Sequence, residues 1–311
     1  MQKGFDMRLL SRWRPPQRKM AIDLGTAFFR VATKDWGIVT IPTGESPNPP
    51  LRHGVVADPY AVACHLRPLL TKAKRLGVGT CVAVGIPSDA NFEERKALHV
   101  AMCAAGAEDF QLVPEPQAAA FGASVEASSP YAQMVVDIGE GVTDCAVIRS
   151  GRIFCSRAVR IGCGTFRETV QAGCRQYWGL DLTHLEAEQL LEEMGVGRAP
   201  KAIWNNTSKP TMDRHSEKHG MSSTTIHDLV EPYMVEILEN IDEQLRALPH
   251  EIGCEIIESG IILTGGGALL PGVSERLRIA TAIDVTTPKD PLDTVVRGML
   301  RMLEIGAVKR W

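Results

Sequence analysis

The sequence predicts an α/β fold of two related lobes facing each other across a cleft. Three observations carry that expectation: a strand, an aspartate and a glycine turn within residues 20–33, the same grammar within residues 134–148, and a buried strand running into Gly265-Gly266-Gly267. The pattern strand-Asp-x-Gly-x-x-strand, at Asp23 and again at Asp137, recurs at a domain-sized separation and so marks a duplication. Helical stretches between the strands predict sheets covered by helices.

In chain order, the first 19 residues hold Lys3, Arg8, Arg12, Arg14, Arg18 and Lys19 against Asp6 alone. Phe5, Leu9, Leu10 and Trp13 recur at about one and two helical turns, the make-up of a short interfacial helix that Pro15-Pro16 ends. Residues 20–24 and 28–33 read as strands joined at Gly25-Thr26; a hairpin is the wrong context for a Rossmann loop. Residues 42–52 carry four prolines and read as an irregular connection. Beyond it come a helix over 59–76, a buried strand over 81–86, a helix over 93–105 ended by Gly106, a strand over 110–113 and a closely packed helix over 116–125.

The second cycle reads as strands at 134–138 and 145–148, then helices near 166–178 and 185–194. A polar stretch at 195–225 receives no assignment. A helix over 226–247, a strand over 260–264 and a helix over 273–280 follow. The predicted division is a tail at 1–19, a first lobe at 20–133 completed by a C-terminal helix at 291–311, and a second lobe at 134–290.

Bulk properties exclude several classes. With 311 residues, 44% of them hydrophobic, the chain can bury a sizeable core. Its 34 basic residues nearly balance 37 acidic ones, so no overall field favours nucleic acid. The eight cysteines form no C-x-x-C pair and no Cys/His cluster at zinc spacing, and read as reduced thiols. No apolar run reaches the roughly 18 residues that cross a bilayer, and the N-terminus lacks the apolar stretch of a secretory signal, so the expected location is the cytoplasm.

A nucleotide clamp needs backbone N–H groups at tight turns to cradle phosphates and a carboxylate near each turn to hold hydrated Mg²⁺. The turns Gly25-Thr26-Ala27-Phe28 and Gly139-Glu140-Gly141-Val142-Thr143, with Asp23 and Asp137, supply that set. Leu263-Thr264-Gly265-Gly266-Gly267-Ala268-Leu269-Leu270 adds a main-chain surface on which adenine or ribose could lie flat. No G-x-x-x-x-G-K-[ST] sequence occurs, which excludes a Walker-type site.

These elements in this order, with Glu115-Pro116-Gln117-Ala118-Ala119-Ala120 between the two turns, look like the actin, sugar-kinase and DnaK-chaperone ATPase fold. Within it the chain resembles the MreB family of bacterial actin-like ATPases. The resemblance rests on residues 22–26, 53–58, 115–122 and 134–144, on Arg160-Ile161-Gly162, on residues 263–270, and on Asp290-Pro291-Leu292 with Arg297-Gly298.

The resemblance implies that Asp23 and Asp137 order Mg²⁺ through water, that Thr26 and Gly141 to Thr143 face the phosphates of ATP or ADP, and that Gly265 to Leu269 face the adenosine. Glu115 matches the glutamate that positions the attacking water, which implies an ATPase yielding ADP and phosphate.

Departures from the family pattern modify this. Val142 replaces a threonine beside the water and Glu140 replaces a glycine. Phe28 and Phe29 replace small polar residues, and the adenosine-side Glu-x-x-Lys is reduced to Glu188 and Leu191. These changes imply slow turnover. A small subdomain of about forty residues is reduced to the proline-rich link at 40–52. The implied partners are further copies of the chain, the inner face of the cytoplasmic membrane through residues 1–14, and a membrane-protein adaptor. The resulting expectation is an ATP-dependent filament near the membrane, serving cell shape or positioning an assembly; the alternative is a non-polymerising chaperone-like or adaptor ATPase of the same fold.

Overall fold

A computed structural model describes residues 18–44, 49–74, 80–123, 129–196, 203–204 and 221–308. The predicted interfacial helix of residues 1–14, the end of the predicted C-terminal helix and most of the polar insert lie outside the described residues.

Two five-stranded sheets with the same topology organise the molecule. The first contains β1 (Arg18–Leu24), β2 (Phe28–Thr33), β3 (Gly37–Pro42), β6 (Thr80–Ile86) and β7 (Phe110–Pro114), in the order β3-β2-β1-β6-β7. The second contains β8 (Gln133–Ile138), β9 (Thr143–Arg149), β10 (Arg152–Val159), β13 (Ile261–Thr264) and β14 (Val285–Thr286), in the order β10-β9-β8-β13-β14. In each, two antiparallel hairpins lead into parallel crossovers. The registers coincide as well. Asp23 pairs with Arg30 across the first hairpin and Asp137 with Asp144 across the second, seven positions apart in both (30 − 23 = 144 − 137). Two short ribbons complete the strands, β4 (Leu51–Arg52) with β5 (Val55–Val56), and β11 (Ile203–Trp204) with β12 (Met221–Ser222), the latter at the two ends of the polar insert.

Alternation along the strands sorts the cores. In the first sheet Met20, Ile22, Phe29, Val31, Val82 and Val84 face α1 (Pro59–Lys74) and α2 (Phe92–Ala105). The opposite face is small, with Ala21, Ala32 and Ala83. That face receives α9 (Thr294–Ile305), which packs tightly on α3 (Glu115–Gly122); α3 in turn lies against β8 and β9. The two helices therefore form a layer between the sheets. Their approach depends on glycine: a Cβ on Gly122 would strike the Thr294 carbonyl, and one on Gly298 the Ala118 carbonyl. The outer face of the second sheet carries Met134, Val136, Ile138, Val147 and Leu263. It is covered by α4 (Cys163–Trp178), α5 (His184–Met194), α6 (Ser223–Arg246) and α8 (Val273–Thr281). A further helix, α7 (His250–Ser259), precedes β13.

Local signals explain most boundaries. Asn91 caps α2 in a reciprocal box with Glu94, and Gly106 ends it at φ 93°. The sequence reading ends the first hairpin at Thr33 and assigns neither β3 nor β10. A turn at residues 34–36 continues the meander into β3, and Ser150 and Gly151, both at positive φ (52° and 71°), make the tight hairpin that adds β10. Among the described residues no helix is long and apolar enough to cross a membrane. None of the eight cysteines, all of which lie among the described residues, forms a disulfide.

Candidate functional site

Each aspartate hairpin ends at the cleft. In the first, Asp23 is the penultimate residue of β1, and a Cβ on Gly25 would lie 2.8 Å from the Phe28 carbonyl oxygen. The Thr43 hydroxyl braces the turn by donating towards the Thr26 and Ala27 carbonyls at 2.7 and 2.9 Å. In the second, Asp137 is penultimate in β8 and Gly139 N–H donates to the Val142 carbonyl at 2.9 Å. The Thr143 hydroxyl donates to the Ile161 carbonyl at 2.8 Å and is fully buried. The side chain is thereby turned inward, so what Thr143 presents at the turn is its main chain.

The two turns nearly touch. A Cβ on Gly141 would lie 2.8 Å from both the Thr26 hydroxyl oxygen and the His53 Cα, and one on Gly54 would lie 2.8 Å from Val142. Gly54 N–H donates to the Thr26 hydroxyl at 3.0 Å. Glycine at 54 and 141 is therefore what lets the lobes meet.

Four carboxylates converge behind these turns. Asp23 and Asp137 are each 8% exposed, Asp144 is buried beside β8, and Glu115 opens α3 with its side chain over Gly85. Burial, resisted by Arg30, raises the pKa of Asp23 to about 6. Burial and then the charges of Asp23 and Asp144 raise Asp137 to about 7. Glu115 is pushed well above the usual carboxylate range by burial and by all three aspartates. Burial and mutual repulsion together raise the cost of ionising all of these carboxylates at once. Among the described residues no three acidic, His or Cys side chains stand close enough together to ligate an ion directly.

A second set of contacts ties the lobes together. Asp144 accepts from the Ser88 N–H and hydroxyl at 2.6 Å each. Arg160, after β10, donates to the His53 carbonyl at 2.7 Å and to Asp89 at 2.8 Å, and reaches Glu94 at 3.4 Å. Sequence reasoning named neither Ser88 nor Asp144 as a site residue. The available signal was a charge inside an otherwise apolar strand.

The glycine run divides its roles. Gly265, at φ 78°, would put a Cβ onto Asp137, and Gly267 would put one onto Ile138. Both are required by packing against β8. Gly266 meets only Cys163 at 3.5 Å and Leu292 at 3.9 Å, so it alone offers open main chain. Ala268 is half-buried and Leu269 is exposed. Glu188 is exposed on α5, whereas the Leu191 side chain, on the inward stripe of α5, is buried in the core of the second lobe. Phe28 is exposed beneath the Arg30 guanidinium, 5.6 Å from its ring centre.

Comparison with known proteins gives a consistent picture. The family model of the MreB/Mbl protein matches residues 47–309. The cell shape-determining protein MreB of Escherichia coli is 30% identical over 261 residues, covering 82% of this chain and 75% of that protein. The crystal structure of MreB5 of Spiroplasma citri bound to ADP superposes with a TM-score of 0.80 at 22% identity, covering 93% of this chain and 97% of that one. A MamK double helical filament superposes at 0.74 with 19% identity, covering 93% and 99%. The match on the whole length of these folds establishes the actin-like architecture.

Proposed function

As the chain belongs to the MreB/Mbl family, we propose that it is an actin-like cytoskeletal protein that binds ATP between its lobes, forms ATP-dependent filaments and serves cell shape or the placement of an assembly near the membrane. The observation that carries this reading is the convergence of two equivalent hairpins, each ending in a buried aspartate with a raised pKa, on one cleft.

In this reading the N–H groups of the turns at 25–28 and 139–143 hold the phosphates, while Gly266, Ala268, Leu269 and Glu188 border the adenosine. Mg²⁺ bound through water to Asp23 and Asp137 would supply the positive charge that phosphates and crowded carboxylates both need. Glu115 orients the attacking water and accepts its proton as the new O–P bond forms and the bond to the ADP oxygen breaks. Turnover is slow, because Val142 offers no hydroxyl to hold that water. Residues 1–14 contact the inner face of the membrane, alongside a membrane-protein adaptor.

The decisive measurement is calorimetric titration with ATP in the presence and absence of Mg²⁺. Asp137→Ala should abolish the Mg²⁺-dependent part of the affinity, and unchanged binding by that variant would overturn the site. Sedimentation and electron microscopy with Mg-ATP then test assembly. One observation favours the second reading, a non-polymerising adaptor ATPase: the chain passes from β3 to α1 through residues 43–58 alone, where the family places a subdomain. Monomers at high protein concentration would select it.

A further inference from the structure

Glu140 interrupts the second turn with a negative charge between two glycines, at the place where the proposed function puts anionic phosphates. The fold has built a compartment for that side chain. The carbonyls of Gly139 and Glu140 accept the N–H groups of Cys163 and Gly164 at 2.9 and 2.8 Å, so the turn sits on the first residues of α4. A Cβ on Gly162 would lie 2.5 Å from the Gly139 carbonyl oxygen, and one on Gly164 would lie 2.8 Å from the Glu140 carboxylate. Glycine at 162 thus lets the turn's main chain approach α4, and glycine at 164 leaves a slot that the Glu140 side chain occupies.

The carboxylate is gripped in that slot by Arg167, one turn further along α4, through both terminal nitrogens, one of them at 3.4 Å. The pair is largely withdrawn from solvent, at 13% exposure for the Arg167 side chain and 19% for Glu140. The Arg167 Nε donates to His184 Nδ1 at 3.2 Å, which anchors the guanidinium to the start of α5. A buried charge pair of this kind is costly to break from one side, because the remaining charge keeps its desolvation without its partner.

We propose that Arg167 is a positioning and affinity-determining residue for the nucleotide: it neutralises Glu140 and fixes the second turn to α4, so that an acidic turn can face phosphates. This rests on the proposed site between the lobes. Without Arg167, the Glu140 charge would act on the bound phosphates, and its repulsion would grow with their charge. A purely structural role would weaken all ligands alike.

The test is calorimetric binding of Mg-ATP, Mg-ADP and adenosine to the full chain, with circular dichroism confirming folding. Arg167→Ala should weaken Mg-ATP binding by about tenfold or more, Mg-ADP by less, and adenosine hardly at all. Adding Glu140→Gln to Arg167→Ala should recover most of the loss, and Arg167→Lys, which retains the charge, should lose far less than Arg167→Ala. Equal weakening for the three ligands, or no recovery in the double variant, would overturn the proposal. If Arg167→Ala fails to fold, the comparison of Arg167→Lys with the double variant carries the test. Failure of the wild-type chain to bind Mg-ATP would instead defeat the proposed function itself.

Discussion

Asp144 in the second sheet accepts both the N–H and the hydroxyl of Ser88, in the turn that follows β6 of the first, at 2.6 Å each, so one carboxylate carries two hydrogen bonds across the cleft. Asp144→Ala should leave the half-buried Ser88 N–H without this partner at a cost of about 1–3 kcal/mol, whereas Ser88→Ala, which keeps the main-chain bond, should cost less. Urea denaturation gives the ranking. Small-angle scattering of the ligand-free variants should show a larger radius for Asp144→Ala, and identical radii would mean that this contact does not hold the lobes together.

The pH dependence follows from the same cluster. Folding raises Asp23 to about 6 and Asp137 and Asp144 to about 7, against roughly 4 in the unfolded chain. The folded state therefore binds more protons, and this contribution is fully present below about pH 4 and lost as pH rises through about 7. Ligand-free protein should melt at progressively lower temperature between about pH 5 and pH 8, and Mg-ATP should flatten that slope. A melting temperature that rose over this window without ligand would contradict the raised values.

The α3–α9 crossing has no room for a side chain. Gly298→Ala should push the helices apart and cost about 3 kcal/mol or more, because the obstacle is main chain, which moves little. By contrast, alanine at Gly253, which meets nothing within 4 Å, should be tolerated. Chemical denaturation midpoints compare the two directly.

Glu115→Gln should retain ATP while losing hydrolysis by about a hundredfold, since the amide keeps the side chain's shape but accepts no proton. Single-turnover phosphate release measures it. An unchanged rate would move the proton acceptor elsewhere.

The two hairpins of the candidate site could be read from the sequence, because they lie in local patterns: an aspartate at a strand end, a glycine turn, a strand, twice over. What was hidden depends on partners distant in the chain. Ser88 becomes notable only when Asp144 lies opposite it, and Arg167 only when Glu140 folds back over Gly164. The glycine run illustrates the limit from the other side. As a sequence it marks open main chain, yet Gly265 and Gly267 are glycine because β8 lies against them. The edge strands β3 and β10 were missed for a related reason: half-exposed strands carry weaker apolar alternation than central ones.

The position of α9 has a consequence for how the molecule is made. Its helix closes the alanine face of β1, and the Lys19 ammonium of that strand donates to the Glu304 carbonyl at 3.1 Å. Translation produces β1 ahead of every other strand of the two sheets, and α9 only after β14 has finished the second sheet. Of the two lobes, the one begun first is thus completed last, and until α9 has been made Ala21, Ala32 and Ala83 lack its cover. A nascent chain stopped before residue 294 would carry every strand of both sheets yet still present that uncovered surface to chaperones and proteases.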